Sequence, residues 1–261
     1  MKIGIIGGSG FYSFLEHMQE IEVDTPYGKP SDKLALGTYK GKELVFLPRH
    51  GKGHTIPPHL VNYRANIHAL KTAGVGYILT AAAAGSLQHG LKPGDFVVVD
   101  QFIDRSKGRQ DTYFEGPKIA HISCAQPYCP TLGELAYKAL QEHNLPAHEA
   151  GTVVVVNGPR FSTKAESKWF TSMGAHLVNM TQYPEVILAR ESEICYANIS
   201  LITDYDAGFE GDRPTVNTDE AMSMFKKNLD KLTAAILSTV EKIDINKDCS
   251  CHHSLDSSFI S

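Results

Sequence analysis

The chain has 261 residues, 42% of them hydrophobic and 21% charged, with a formal net charge of −4 at pH 7. This composition excludes a disordered or collagen-like chain, and five cysteines are too few for a disulfide-stapled scaffold. The acidic balance argues against a nucleic-acid partner, since such proteins as a class carry a basic excess. No apolar run reaches ~18 residues, so no membrane span is expected. Met1-Lys2-Ile3-Gly4-Ile5-Ile6 enters a strand directly and lacks the features of a secretory signal, which gives a cytoplasmic expectation.

In chain order, Lys2–Ile6 reads as a buried strand ending in Gly7-Gly8-Ser9-Gly10. Leu44–Leu47 is a second strand, stopped by Pro48-Arg49-His50-Gly51. Tyr63–Ala73, with apolar Ala65, Ala69 and Leu70, predicts a helix, and Gly74 follows as its stop signal. Tyr77–Ala84 is a third strand, followed by Gly85-Ser86, and Phe96–Asp100 a fourth. Leu132–His143 predicts a helix that stops before Pro146. The β-branched run Thr152–Val156 is a buried strand. Leu177–Met180 and Tyr196–Thr203 are two more, with a helix over Pro184–Glu193 between them. Asp219–Lys242 is a long amphipathic helix with Met222, Phe225, Leu229, Leu232 and Ile236 on its apolar face. Continuous apolar strands alternating with helices predict an α/β fold with a central, mostly parallel mixed sheet flanked by helices. One domain over residues 1–248 is expected, followed by a polar tail, 249–261, that carries Cys249-Ser250-Cys251.

Ligands of open α/β sheets sit beyond the carboxyl ends of the strands, so the residues just after each strand are the candidates. Gly7-Gly8-Ser9-Gly10 lets backbone N–H groups converge on an anion, with a hydroxyl beside them. It lacks the dinucleotide spacing G-x-G-x-x-G, and the chain has no G-x-x-x-x-G-K-[ST]. Arg49-His50 supplies a guanidinium that can donate two parallel hydrogen bonds to an oxyanion. Asp204-Tyr205-Asp206 puts two carboxylates on one side of an extended segment, where one raises the pKa of the other and suits it to donate a proton. Each pattern also occurs as plain structure: a glycine turn, a surface arginine, a solvated Asp-x-Asp turn. Their shared place at strand ends is what raises them above that. No metal is expected. The chain has no H-E-x-x-H and no C-x-x-C, Pro48 and the glycines oppose a helix across His50 and His54, and Cys249–His253 falls in the tail. A G-x-S-x-G nucleophile elbow is also absent.

Taken in order, Ile5-Ile6-Gly7-Gly8-Ser9-Gly10, Pro48-Arg49-His50-Gly51, Asn62-Tyr63-Arg64-Ala65-Asn66-Ile67, Asp100-Gln101-Phe102-Ile103-Asp104, Gly158-Pro159-Arg160-Phe161-Ser162, Asn179-Met180-Thr181 and Thr203-Asp204-Tyr205-Asp206 closely resemble the 5′-methylthioadenosine phosphorylases of the purine nucleoside phosphorylase superfamily. The resemblance runs from residue 3 to about residue 240. It implies a nucleoside phosphorylase-like fold and phosphorolysis of S-methyl-5′-thioadenosine to adenine and 5-methylthioribose 1-phosphate, a pentosyl transfer that serves purine and methionine salvage. It also implies a homotrimer or dimer of trimers with sites near subunit borders. Phosphate is then a co-substrate, and no metal or organic cofactor is needed.

Carried over by position, Ser9, Arg49 and His50 match phosphate contacts, and Ala82 and Ala83 match a segment that reaches phosphate through backbone N–H. Ala82 stands where several relatives carry threonine, so one hydroxyl contact is missing. Thr181 matches a hydroxyl shared by phosphate and ribose, Met180 a ribose contact, and Phe161 the aromatic wall against the base. Asp204 matches the proton donor to purine N7, with Asp206 beside it near the 6-position. Relatives acting on 6-oxopurines tend to carry Glu after the Phe and Asn in place of the first Asp, whereas Ser162 and Asp204 stand here. A carboxyl accepts from an exocyclic amine and donates to N7 when protonated, so both positions point to adenine. A 6-oxopurine or broad-specificity phosphorylase, including one acting on methylthioinosine, is the alternative. A hydrolase would have no use for Arg49 and His50, and a mere binding module none for an ionisable Asp204. The helix from about Thr218 is where the family closes the 5′ end, making Met222 and Met224 candidate liners. The segment His121–Pro130 is where a neighbouring subunit makes its contact. Some thermophilic relatives share the C-x-C ending, and Cys249 and Cys251 are expected to be non-catalytic.

Overall fold

The computed structural model describes residues 1–7, 16–208 and 216–260. In chain order the elements are β1 (Lys2–Gly7), β2 (Glu16–Ile21), β3 (Leu34–Tyr39), β4 (Lys42–Pro48), α1 (Tyr63–Thr72), β5 (Val75–Ser86), β6 (Phe96–Val99), β7 (Gln101–Arg105), α2 (Pro130–Glu142), β8 (Ala147–His148), β9 (Thr152–Val156), α3 (Lys164–Ser172), β10 (Leu177–Asn179), α4 (Gln182–Glu191), β11 (Cys195–Tyr205) and α5 (Thr218–Lys242). β5 is the spine. It pairs in parallel with β1 and with β11, and its far end pairs antiparallel with β10. One path runs β2-β3-β4-β1-β5-β10-β9-β7, and β11 leads off β5 to β6 and β8. The sheet is therefore mixed, with a parallel centre, as expected.

Strand alternation divides the core in two. Ile3, Ile5, Leu44 and Phe46 face one side, where they meet Leu132 and Ala136 of α2 and Leu232 and Ile236 of α5. Ile6, Val45 and Leu47 face the other, against Ile67 and Leu70 of α1 and Val186 and Leu188 of α4. A strand covered on both faces must be apolar at every position, which is why β1, β4, β5 and β11 stood out as continuous runs. β2, β3, β7 and α3 were not among the expected elements. β2 is an exposed edge strand, EHMQEI, paired with β3 in an antiparallel hairpin, and its polar sequence carries no buried face to announce it. α3 is a short helix begun by a capping box, in which Thr163 and Glu166 each bond the other's backbone N–H.

Residues 249–260 lie against the body of the fold, unlike the polar tail expected from their composition. Ser250–His253 forms a 3-10 turn, Cys251 is buried in the α2–α5 core, and Phe259 bridges to Ala120. Among the described residues, no helix is long and apolar enough to cross a membrane.

The C-terminus of α5 is tied to β4 by Lys42. Its Nζ donates to the carbonyls of Val240, Glu241 and Ile243 at 2.7, 2.9 and 2.6 Å. These carbonyls belong to the last turn and the C-cap, where the helix dipole also favours a cation. Burial moves the ammonium below its ordinary pKa, but the three bonds go to its charged form. Lys42→Met should lower stability by about 1–3 kcal/mol. The check is a drop in the urea midpoint at unchanged m-value.

Candidate active site

The carboxyl ends of β4, β5, β10 and β11 open into a cavity of about 740 Å³, closed on one side by α5. Of the residues singled out from sequence, Arg49, His50, Ala82, Ala83, Phe161, Met180, Thr181, Asp204 and Asp206 all line this one cavity. Ser9 lies outside the described residues.

Arg49 follows β4 and is buried. Its Nε and Nη2 donate to Glu185 Oε2 and Oε1, both at 2.7 Å, and Nη1 donates to the Ala81 carbonyl at 3.1 Å. Glu185, from α4, is fully buried and also accepts from the Tyr196 hydroxyl at 2.8 Å. Burial works against the guanidinium's charge, but the adjacent Glu185 carboxylate outweighs it and holds Arg49 above its ordinary pKa. A guanidinium has five N–H groups. Three are used here, and one remains on each Nη. Glu185 thus occupies the side-on edge of the fork, and Arg49, which lines the cavity, keeps one uncommitted N–H on each Nη.

His50 Nδ1 lies 2.9 Å from the Ile56 carbonyl. The carbonyl can only accept, so Nδ1 carries the proton. Burial, then the neighbouring Arg49 charge, pushes His50 down to about 4. It is neutral near pH 7, with Nε2 left as an acceptor. Thr181 caps α4 at its N-terminus without using its side chain for a cap bond, so its hydroxyl remains available. Ala82 and Ala83 present backbone from the middle of β5.

Another part of the lining is built by a β-bulge. The register of β11 against β5 slips between Ile202 and Asp204, so Ile202 pairs with Ala84 and Asp204 with Gly85. Bulges re-aim side chains beside sites. Here Thr203 Oγ1 donates to Asp204 Oδ1 at 2.6 Å. A Cβ on Gly85 would lie 3.1 Å from Asp204 Oδ2, so glycine is what leaves room for the carboxyl. Burial raises Asp204 to about 6, the Thr203 bond partly opposing it and the charges of Asp206 and Glu220 adding to it. Burial also raises Asp206, with the Ser167 hydroxyl acting the other way. Three cavity-lining atoms, Asp206 Oδ2, Ser162 Oγ and Asn179 Nδ2, are buried without a hydrogen-bond partner among the described residues. Buried polar atoms seldom stay unpaired, and this group offers a donor and acceptors to a polar ligand edge.

The remaining wall is apolar, with Val178, Met180, Phe161, Met222, Phe225 and Leu229. Met222 lines the cavity as expected. Met224 does not: it turns to the other side of α5, where Asn228 Nδ2 reaches its sulfur at 3.4 Å. Residues two apart on a helix point about 200° apart, so the two could not share one wall.

A sequence profile described as the phosphorylase superfamily matches residues 2–241. The chain belongs to the phosphorylase superfamily. It is 45% identical over 262 aligned positions to S-methyl-5′-thioadenosine phosphorylase of Thermofilum pendens, covering 100% of this chain and 99% of the relative. It is 45% identical over 260 positions to a purine nucleoside phosphorylase of Streptomyces coelicolor, covering 96% and 92%. Among solved structures it resembles a methylthioadenosine phosphorylase from an Antarctic soil metagenomic library, with a TM-score of 0.93, 41% identity and coverage of 99% and 92%. A methylthioadenosine phosphorylase of Schistosoma mansoni in complex with adenine gives 0.92, 38%, and 99% of both chains.

Several residues that shape this phosphorylase site were missed from sequence. Glu185 sat unmarked inside an expected helix. Thr203 was read as the end of a strand and as part of the Thr203-Asp204-Tyr205-Asp206 run, with no role of its own. Arg109 ties the cavity rim together by donating to the Asn157 and Met180 carbonyls at 3.0 and 2.8 Å and to that of Tyr183. Gly158, at φ +66, allows Met180 to approach: a Cβ there would meet its sulfur at 2.5 Å. Gly158 and Thr203 carried a signal, as members of the runs Gly158-Pro159-Arg160-Phe161-Ser162 and Thr203-Asp204-Tyr205-Asp206, whereas Glu185 and Arg109 carried none.

Asp204 also leaves a signature in stability. Its ordinary pKa is 3.8 and its folded value about 6. The unfolded chain therefore ionises first, and folding loses stability as pH rises from about 4 through about 6. Asparagine carries no such penalty. Asp204→Asn should match the parent near pH 4 and exceed it by about 2–3 kcal/mol by pH 7. The measurement is urea unfolding of both proteins at the two pH values, and a constant difference would contradict the burial of this carboxylate.

Proposed function

We propose that the chain is a pentosyltransferase that cleaves S-methyl-5′-thioadenosine with phosphate, yielding adenine and 5-methylthioribose 1-phosphate. The observation that carries this reading is one cavity with an anion-directed guanidinium on one wall and a carboxyl raised to about 6 on the other. Phosphate attacks C1′ as the C1′–N9 bond breaks. Positive charge grows on the sugar and negative charge on the purine. The bound phosphate stabilises the first and a proton delivered to N7 the second.

In this reading Arg49 holds two phosphate oxygens with its end-on edge, and neutral His50 accepts from the phosphate hydroxyl at Nε2. Ser9, the backbone of Ala82 and Ala83, and Thr181 complete the phosphate cradle. Phe161 packs on the base and Met180 on the ribose. Asp204 donates to N7, and Asp206 faces the 6-position together with Ser162. About a tenth of the Asp204 carboxyls carry a proton at pH 7 in the free enzyme, and a stacked purine excludes water and raises that share. Met222, Phe225 and Leu229 suit a methylthio group, which has no hydrogen bond to make. Phosphate is the co-substrate, and the reaction as drawn needs no organic cofactor. The reading includes a homotrimer or dimer of trimers, with His121–Pro130 near a neighbour's site, in the cytoplasm. A 6-oxopurine or broad-specificity phosphorylase is the second reading, favoured by the similarity to the Streptomyces coelicolor protein.

Four outcomes are expected. Methylthioadenosine cleavage should require phosphate, and adenine release at the same rate without phosphate would overturn the reading. Asp204→Ala should lower turnover by about 10² to 10⁴, the usual worth of a positioned general acid. Asp204→Asn should shift the ratio of kcat/KM for methylthioadenosine over inosine toward inosine, because an amide can donate to a 6-carbonyl but cannot give N7 a proton. An equal fall for both substrates would remove the case for adenine. Sedimentation should find a trimer or its multiple, and a stable, active monomer would contradict it.

A further inference from the structure

At the opposite end of β11 from Asp204, four of the five cysteines converge. Cys129 precedes α2, Cys195 opens β11, and Cys249 and Cys251 arrive from the C-terminal segment. Their sulfur atoms all lie within 4.8 Å of one another, with Cys129 and Cys249 3.6 Å apart. Cys129, Cys195 and Cys251 are buried, and none of the four is in a disulfide. Thiolates placed tetrahedrally at ~2.3 Å from a zinc ion stand ~3.8 Å from each other. The observed spacing has that scale. It is far wider than the ~2.05 Å of a sulfur–sulfur bond.

Polar groups also reach the cluster. Cys129 Sγ accepts from the Leu132 N–H at 3.4 Å, at the N-terminus of α2, where the helix dipole attracts negative charge. His252 Nε2 is 3.5 Å from Cys195 Sγ and 3.4 Å from the Gly76 carbonyl. Four thiols packed merely as small apolar groups need share no centre, whereas four ligands must.

We propose that Cys129, Cys195, Cys249 and Cys251 form a closed structural site for one soft divalent ion of the zinc type. Each thiol gives its proton to solvent as the metal–sulfur bond forms, with no change of oxidation state. Four protein ligands leave no open position, so the ion does no chemistry on substrate. It fastens the C-terminal segment to the starts of β11 and α2. No C-x-x-C spacing announces it, because its ligands come from three distant parts of the chain.

The test uses the whole protein, purified under reducing conditions with zinc supplied, then freed of excess metal and reductant. Elemental analysis should find about one zinc per chain, and denaturation with a chelator should release all five thiols to a thiol reagent. Cobalt exchanged for zinc should give the sulfur-to-metal charge-transfer absorption of a tetrahedral thiolate site. Cys251→Ser should weaken zinc retention against a chelator by about tenfold or more, while Cys124→Ser, which alters the one cysteine outside the cluster, should retain zinc fully. Protein without zinc that has lost thiols in pairs would overturn the proposal in favour of disulfides. Protein with five free thiols that retains no zinc would overturn it in favour of ordinary packing.

Discussion

The buried ion pair between Arg49 and Glu185 is the constraint on which the site depends. Removing two charges from water costs several kcal/mol each, and Coulomb attraction offsets this only when geometry is good and the leftover donors and acceptors are used. Here the fork is bidentate, Ala81 takes a third N–H, and Tyr196 donates to the carboxylate. The pair also joins three elements: the end of β4, the middle of β5 and α4. Its effect is orientation. A free arginine would fold its fork toward any carboxylate, whereas this one is held in place at the cavity lining by Glu185 and the Ala81 carbonyl.

The far wall works by the opposite device. Asp204 is raised because little around it stabilises its charge. Thr203 gives one hydrogen bond, Gly85 gives space, and the rest is burial. In the proposed reaction, a fixed cation and an acid kept protonatable by burial are complementary halves. The bulge at Thr203 is what brings the acid to the same cavity as the cation. Without the slip, position 204 would project from the other face of β11.

Much of this was legible in the sequence, for physical reasons that also explain what was not. Strands buried on both faces must be continuously apolar, so β1, β5, β9 and β11 were visible. Exposed β2 and short β7 had no such requirement and were not. Arg49, Thr181 and Asp204 could be found because strand ends are where this architecture places ligands. Glu185 could not, since nothing local distinguishes a buried carboxylate in a helix from a solvated one. Met224 was misplaced because composition alone does not give the rotation of a helix. The C-terminal segment looked polar because Cys251 is its one buried apolar side chain, and the groups it meets, Cys129 and Cys195, and the Ala120 backbone that bridges to Phe259 lie far away along the chain.

The most direct test of the pinned-fork account is steady-state kinetics of Arg49→Lys with phosphate and methylthioadenosine varied separately. Lysine keeps the charge but has no second edge to offer once it meets Glu185. The account predicts that the KM for phosphate rises about 10- to 100-fold, the worth of one or two charge-assisted hydrogen bonds, while the KM for methylthioadenosine moves far less. An unchanged KM for phosphate, or an equal rise in both, would contradict it.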